Sequence, residues 1–167
     1  NIGKKIVFAP PEKTVPLQRG RASGIAPYFL CDNAKYLLGV WIPAGDEKAD
    51  AKDAKRTKEC FAASASLHKS ILEAVEDEQA QKLCKFFSTW DFDRDKEVLK
   101  VPIESLAGAN LIFRDYDNPE KDILENPKVK EAWLAWIREE SAEATVGRCL
   151  VTGKYTTVAR LHPLIKG

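Results

Sequence analysis

The chain has 167 residues, 44% of them apolar, with four Trp and seven Phe, enough for one ordinary domain with a real core and no need of a disulfide or metal staple. It holds no run of about 18 apolar residues and no basic–apolar–small signal pattern, which excludes a membrane-spanning helix and a visible secretory leader. Net charge is only +1, but it is unevenly spread: residues 1–42 carry six cations against two acids, residues 101–143 five against ten, and residues 144–167 four cations and no acid.

Basic ends around an acidic middle suit a surface that faces a polyanion, or ends that pair with the middle; charge alone does not choose. Four Cys, at positions 31, 60, 84 and 149, show no close spacing and read as buried thiols of a reducing, cytoplasmic compartment. Position 1 is Asn and the chain has no Met, so both ends read as cuts in a longer protein.

In chain order, Lys5 to Ala9 fits a short strand stopped by Pro10-Pro11. Residues 12–27 form a basic, Pro- and Gly-punctuated loop containing Arg19, Arg21 and Ser23. Tyr28 to Cys31 and Tyr36 to Ile42 read as a β-hairpin closed by Asp32-Asn33-Ala34-Lys35, with Asn33 and Lys35 at its tip. Asp46 to Lys58 is charge and Ala, either loop or exposed helix. From Cys60 the apolar period turns helical through Val75, and a second helix runs from about Asp77, its cap, to Trp90. Residues 91–95 read as a solvated interhelical loop.

Leu99 to Val101 and Ala109 to Arg114 are candidate strands. Asn126-Pro127 starts a helix whose face carries Val129, Trp133, Trp136 and Ile137. Thr145 to Thr152 and Thr156 to Leu161 read as two strands around Gly153-Lys154. The expected class is α+β, with antiparallel hairpins, a helical hairpin and one further amphipathic helix. We expect a single domain over 1–167, with a helical insertion at about 50–95.

Catalytic and metal constellations fail on spacing. There is no C-x-x-C, and only Cys149 and His162 lie near each other, a poor zinc set. Asp91, Asp93 and Asp95 begin like a calcium loop, but Lys96 stands where Gly is needed. No Gly-rich phosphate loop occurs. Cys31 or Cys149 with His68 or His162 could form a thiol pair on paper, but a buried Cys and a satisfied His are the simpler reading. The expectation is therefore no catalytic set, no metal and no cofactor. What remains is polyanion chemistry: Arg19, Arg21, Ser23, Asn33 and Lys35 near the start, and Arg148, Lys154, Arg160, His162 and Lys166 near the end.

Two blocks carry a resemblance. The run from Arg21 to Gly39, RASGIAPYFLCDNAKYLLG, and the pair CLVTG at 149–153 with ARLHPLIKG at 159–167 resemble the Csd-type large subunit of the type I-C CRISPR Cascade complex. The resemblance covers nearly all of this chain but a minor part of a family member. It implies a non-catalytic subunit in antiviral defence that recognises the protospacer-adjacent motif, binds and opens duplex target DNA, and supports a separate helicase-nuclease. Its implied partners are other Cascade subunits, crRNA and double-stranded DNA, in a prokaryotic cytoplasm with no membrane. Guide pairing would read most of the sequence. The alternative is an interaction scaffold that contacts neighbouring subunits, guide RNA or an inhibitor without reading DNA.

Overall fold

The computed structural model describes residues 13–18, 21, 24–118, 121–142, 146–149 and 152–157. Helices and short antiparallel strands are both present, in keeping with the α+β expectation. Strand β1 is Cys31–Asn33, and helix α1, Ala34–Leu37, follows it directly. Then come α2 (Glu47–Leu72), α3 (Glu78–Thr89), α4 (Phe92–Asp95), α5 (Ile103–Leu106), β2 (Asn110–Ile112), α6 (Pro127–Ala142), β3 (Val146–Arg148) and β4 (Tyr155–Thr157).

The long helix α2 starts well before the apolar period that predicts it. The Asp46 carboxylate accepts from the amides of Lys48 and Ala49, both at 3.0 Å, and caps the first turn. Ala and Lys, strong helix formers, then carry it to the buried face of Thr57, Cys60, Ser64, His68, Ile71 and Leu72. Those positions recur at three and four, so one stripe enters the core. Helix α3 is capped by Asp77, as expected, and buries Ala80, Leu83, Cys84 and Phe87. The Asn126 side chain starts α6 by accepting from the amides of Lys128 and Val129 at 3.0 and 3.4 Å.

The main core joins Phe29, Leu30 and Leu37 to Ile71 and Leu72 of α2, Leu83 and Phe87 of α3, Ile123 and Leu124 of a 3-10 turn, and Val129 of α6. Trp133 and Trp136 pack against it from α6. A smaller cluster of Ala34, Val40 and Leu106 lies beside Phe92 and Leu99.

The local hairpin expected at 28–42 does not form. Its second arm begins as α1, and β1 pairs instead with β2, Cys31 facing Ile112 and Asn33 facing Asn110. Asn33 thus ends a strand and Lys35 lies in a helical turn; neither is at a hairpin tip. Residues 91–95 are not a loop: Phe92–Asp95 form α4, which Asp91 caps by accepting from the Arg94 amide at 3.0 Å. Leu99 to Val101 is not a strand but the lead into α5. At the chain's far end β3 and β4 do form a hairpin, Val146 facing Thr157 and Arg148 facing Tyr155. Gly153 sits in its turn at φ 69°, a conformation glycine adopts without strain. The strand expected at Lys5–Ala9 lies outside the described residues.

Candidate nucleic-acid interface

The segment from Gly24 to Leu37 is held from both sides. Leu30 has φ 60°, unusual for a side chain with a Cβ. Its amide donates to His68 Nε2 at 3.0 Å, while His68 Nδ1 donates to the Ser64 carbonyl at 2.7 Å. Those two bonds fix the tautomer and use both ring nitrogens. His68 is fully buried and stacks between Phe87 at 4.4 Å and Phe29 at 5.2 Å. Burial lowers its pKa to about 4, so the ring is neutral at pH 7.

On the other side stands Asp32, 2% exposed. Its carboxylate accepts from the amides of Tyr28 at 2.8 Å and Asn33 at 2.7 Å, and pairs with the Arg21 guanidinium. Arg21 also donates from Nε to the Ala26 carbonyl at 2.6 Å. Its guanidinium lies over the rings of Tyr28 and Tyr36, 3.9 and 4.0 Å from their centroids. A cation between two aromatic faces and a buried carboxylate is an internal strut.

The strut delivers Asn33 and Lys35 to the β1–α1 junction. Asn33 is half-buried, its amide tied to Asp32, and its Oδ1 is buried with no hydrogen-bond donor among the described residues. Lys35 is half-buried and makes no ion pair among the described residues. The second basic group sits on the β3–β4 hairpin. Arg148 Nε donates to the Gly153 carbonyl at 3.1 Å, and Lys154 is exposed with its carbonyl accepting from the Cys149 amide. No hydrogen bond or ion pair joins Arg148 or Lys154 to the Arg21–Lys35 segment among the described residues. Arg19, Ser23, Arg160, His162 and Lys166 lie outside the described residues.

Sequence reasoning placed Arg21 and Lys35 together but not the roles that separate them. Asp32 neutralises the first, and the second is left with its charge unspent. The signal for that division, an Asp buried beside two Tyr, exists only after folding.

The thiols offer little chemistry. Cys31, Cys60 and Cys84 are buried, and burial pushes the Cys31 and Cys84 thiols up, away from the thiolate a nucleophile needs. Cys149 is half-buried, with the Thr152 amide 3.4 Å from its sulfur. No group of three or more His, Cys, Asp or Glu that could hold a metal occurs among the described residues. No described helix is long and apolar enough to cross a membrane.

Among curated proteins none matches the chain. The sequence profile of the CRISPR-associated protein (Cas_Csd1) family matches residues 2–167, which span both signature blocks and every element described above. The chain therefore belongs to the Cas_Csd1 family of CRISPR-associated proteins.

Proposed function

We propose that this chain is a non-catalytic part of a type I-C RNA-guided surveillance complex, and that it binds duplex target DNA and reads the protospacer-adjacent motif. The observation that carries the reading is the Arg21–Asp32 strut, which braces the β1–α1 junction that carries Asn33 and Lys35. Lys supplies a phosphate contact without sequence information; the Asn33 amide nitrogen can donate to an acceptor on a base edge. Membership of a CRISPR-associated family supplies the setting. The partners in this reading are other Cascade subunits, crRNA, the target duplex and a helicase-nuclease that arrives later, all in a prokaryotic cytoplasm. Guide pairing reads the long target, so the protein needs only a short readout and backbone contacts.

The test is duplex binding against salt, with and without the preferred motif. Lys35→Gln should weaken binding to all duplexes and reduce the salt slope by about 0.9. Asn33→Ala should lower the preference for the motif by about 1 kcal/mol and leave the slope alone. Unchanged binding in both variants sinks the reading.

A second reading has one observation in its favour. Val146 and Tyr155 on the β3–β4 hairpin are 61% and 78% exposed, on positions that share one face of the ladder. Exposed apolar side chains on a strand pair suit a protein neighbour. In that reading the chain is a scaffold within the complex. Assembly lost on Tyr155→Ser, with DNA affinity unchanged in Lys35→Gln, would favour it.

A further inference from the structure

The charge count over residues 43–100 is eleven cations against thirteen acids, which hides how α2 distributes them. Thr57, Cys60, Ser64 and His68 define its buried face. Lys48, Lys52 and Lys55 are exposed opposite it at helical spacing, and Arg56 and Lys58, also exposed, stand on its two flanks. The acids are mostly elsewhere. Asp46 caps the helix, and Asp50 turns back to accept from the amides of Ala44 and Gly45 at 2.7 and 3.0 Å. Asp53 stands on the side of the core-facing stripe, which leaves Glu47, in the first turn, and Glu59 as the acids among the cations. Lys58 pairs with Asp93 at 2.8 Å; Lys48, Lys52, Lys55 and Arg56 make no ion pair among the described residues.

We propose that this face of α2 is a second contact surface for the phosphate backbone of duplex DNA. It deepens the nucleic-acid reading above and rests on it. Shape and charge choose the ligand. Between the cations the helix crest is low: Ala51, Ala54 and Ala62 line a shallow trough with Lys55, Lys58 and Glu59. An α-helix about 10–12 Å across fits the B-form major groove, about 12 Å wide. Ten residues separate Lys48 from Lys58, a rise of about 15 Å. At about 3.4 Å per phosphate along a strand, that length faces about four phosphates.

Other ligands fit less well. The exposed cation face carries no aromatic ring, the platform on which single-stranded bases stack. The A-form major groove of double-stranded RNA is too deep and narrow for a helix. Strongly hydrated lysines are depleted from the centres of protein interfaces.

The experiment measures binding of the protein to a short fluorescein-labelled duplex of arbitrary sequence over a salt series. The triple variant Lys52→Gln/Lys55→Gln/Arg56→Gln should bind about tenfold more weakly at low salt, and its log–log slope should be shallower by about 2–3. Gln keeps the helix propensity of Lys and Arg, and circular dichroism checks the fold. Lys100→Gln/Lys121→Gln/Lys130→Gln makes the same charge change on other exposed positions and should leave the slope unchanged. A triple replacement of Lys48, Lys52 and Lys55 by Arg should retain binding. An unchanged slope in the first variant overturns the proposal, as does an equal fall in the control or an equal loss on double-stranded RNA. If Lys35→Gln weakens binding while the α2 variant does not, the α2 surface alone is refuted. If the unaltered protein binds no duplex, both readings fall.

Discussion

Arg21 shows how a candidate contact becomes a structural group. Its guanidinium is satisfied by Asp32, by the Ala26 carbonyl and by two Tyr faces, so little of its charge is left for a ligand. Removing it strands a carboxylate that is 2% exposed. Arg21→Ala should therefore cost about 3 kcal/mol of stability, read as a lowered urea midpoint. Arg21→Lys should recover little of it, because an ammonium supplies the charge without the planar fork that stacks between the rings. The double variant Arg21→Ala/Asp32→Asn should lose less than Arg21→Ala alone, since no unpaired charge is left buried. A double variant as unstable as the sum of the two singles would show that the pair does not act as one unit. DNA affinity in these variants should fall only as Asn33 and Lys35 lose their positions.

At the scale of elements, Asp77 ties two helices by their starts. Its carboxylate accepts from the amides of Gln79 at 2.9 Å and Ala80 at 3.1 Å, capping α3, and from Asn126 Nδ2 at 3.0 Å. Asn126 in turn caps α6 with its Oδ1. Partial burial pushes the Asp77 pKa up, but the bonds from Asn126, Ala80 and Gln79 outweigh it and hold the group below its ordinary value. Asp77→Ala should cost about 1–2 kcal/mol, with faster hydrogen exchange at the first turns of both α3 and α6. Faster exchange confined to α3 would mean that the link to α6 carries no energy.

Both caps were readable in the sequence, because Asp77 and the Asn126-Pro127 pair act within a few residues of themselves. So was the apolar period of α2 from Cys60. The start of α2 was harder to read, since its first three turns present Ala and charge with no apolar stripe. The pairing of β1 with β2 was not readable at all. Asp32-Asn33-Ala34-Lys35 has the composition of a turn, yet Asp32 is drawn inward by Arg21 and the chain enters α1. Its strand partner at Asn110–Ile112 lies far along the chain, beyond the reach of any local pattern. The same limit applies to the site: Lys35 could be nominated, but its separation from Arg21 depends on a buried carboxylate that only the fold creates.

The whole molecule should respond to acid through His68, whose ring links Leu30 of the candidate interface to Ser64 of α2. Burial favours the neutral ring, so the folded state holds its proton more weakly than the unfolded chain: about 4 against about 6.5. The unfolded state therefore binds more protons throughout that interval, and stability rises with pH across it. The contribution is fully present above pH 6.5 and is lost as pH falls towards 4, by about 3 kcal/mol in total at 1.36 kcal/mol per unit. Asp77 and Asp122, held below their ordinary values by hydrogen bonds that outweigh burial, work in a lower window. Their stabilisation is present above about pH 4 and fades as pH falls further. The two windows separate the causes. Urea midpoints measured from pH 7 to pH 4 should fall steadily in the unaltered protein. In His68→Gln the midpoint should be lower at pH 7 but nearly flat over the same range, because the titrating group is gone. Steep loss that persists in that variant would place the acid sensitivity elsewhere. Because Leu30 donates its amide to His68, protonation should also release the left-handed backbone that leads into β1. Loss of duplex affinity should then accompany the fall in stability and begin at the same pH.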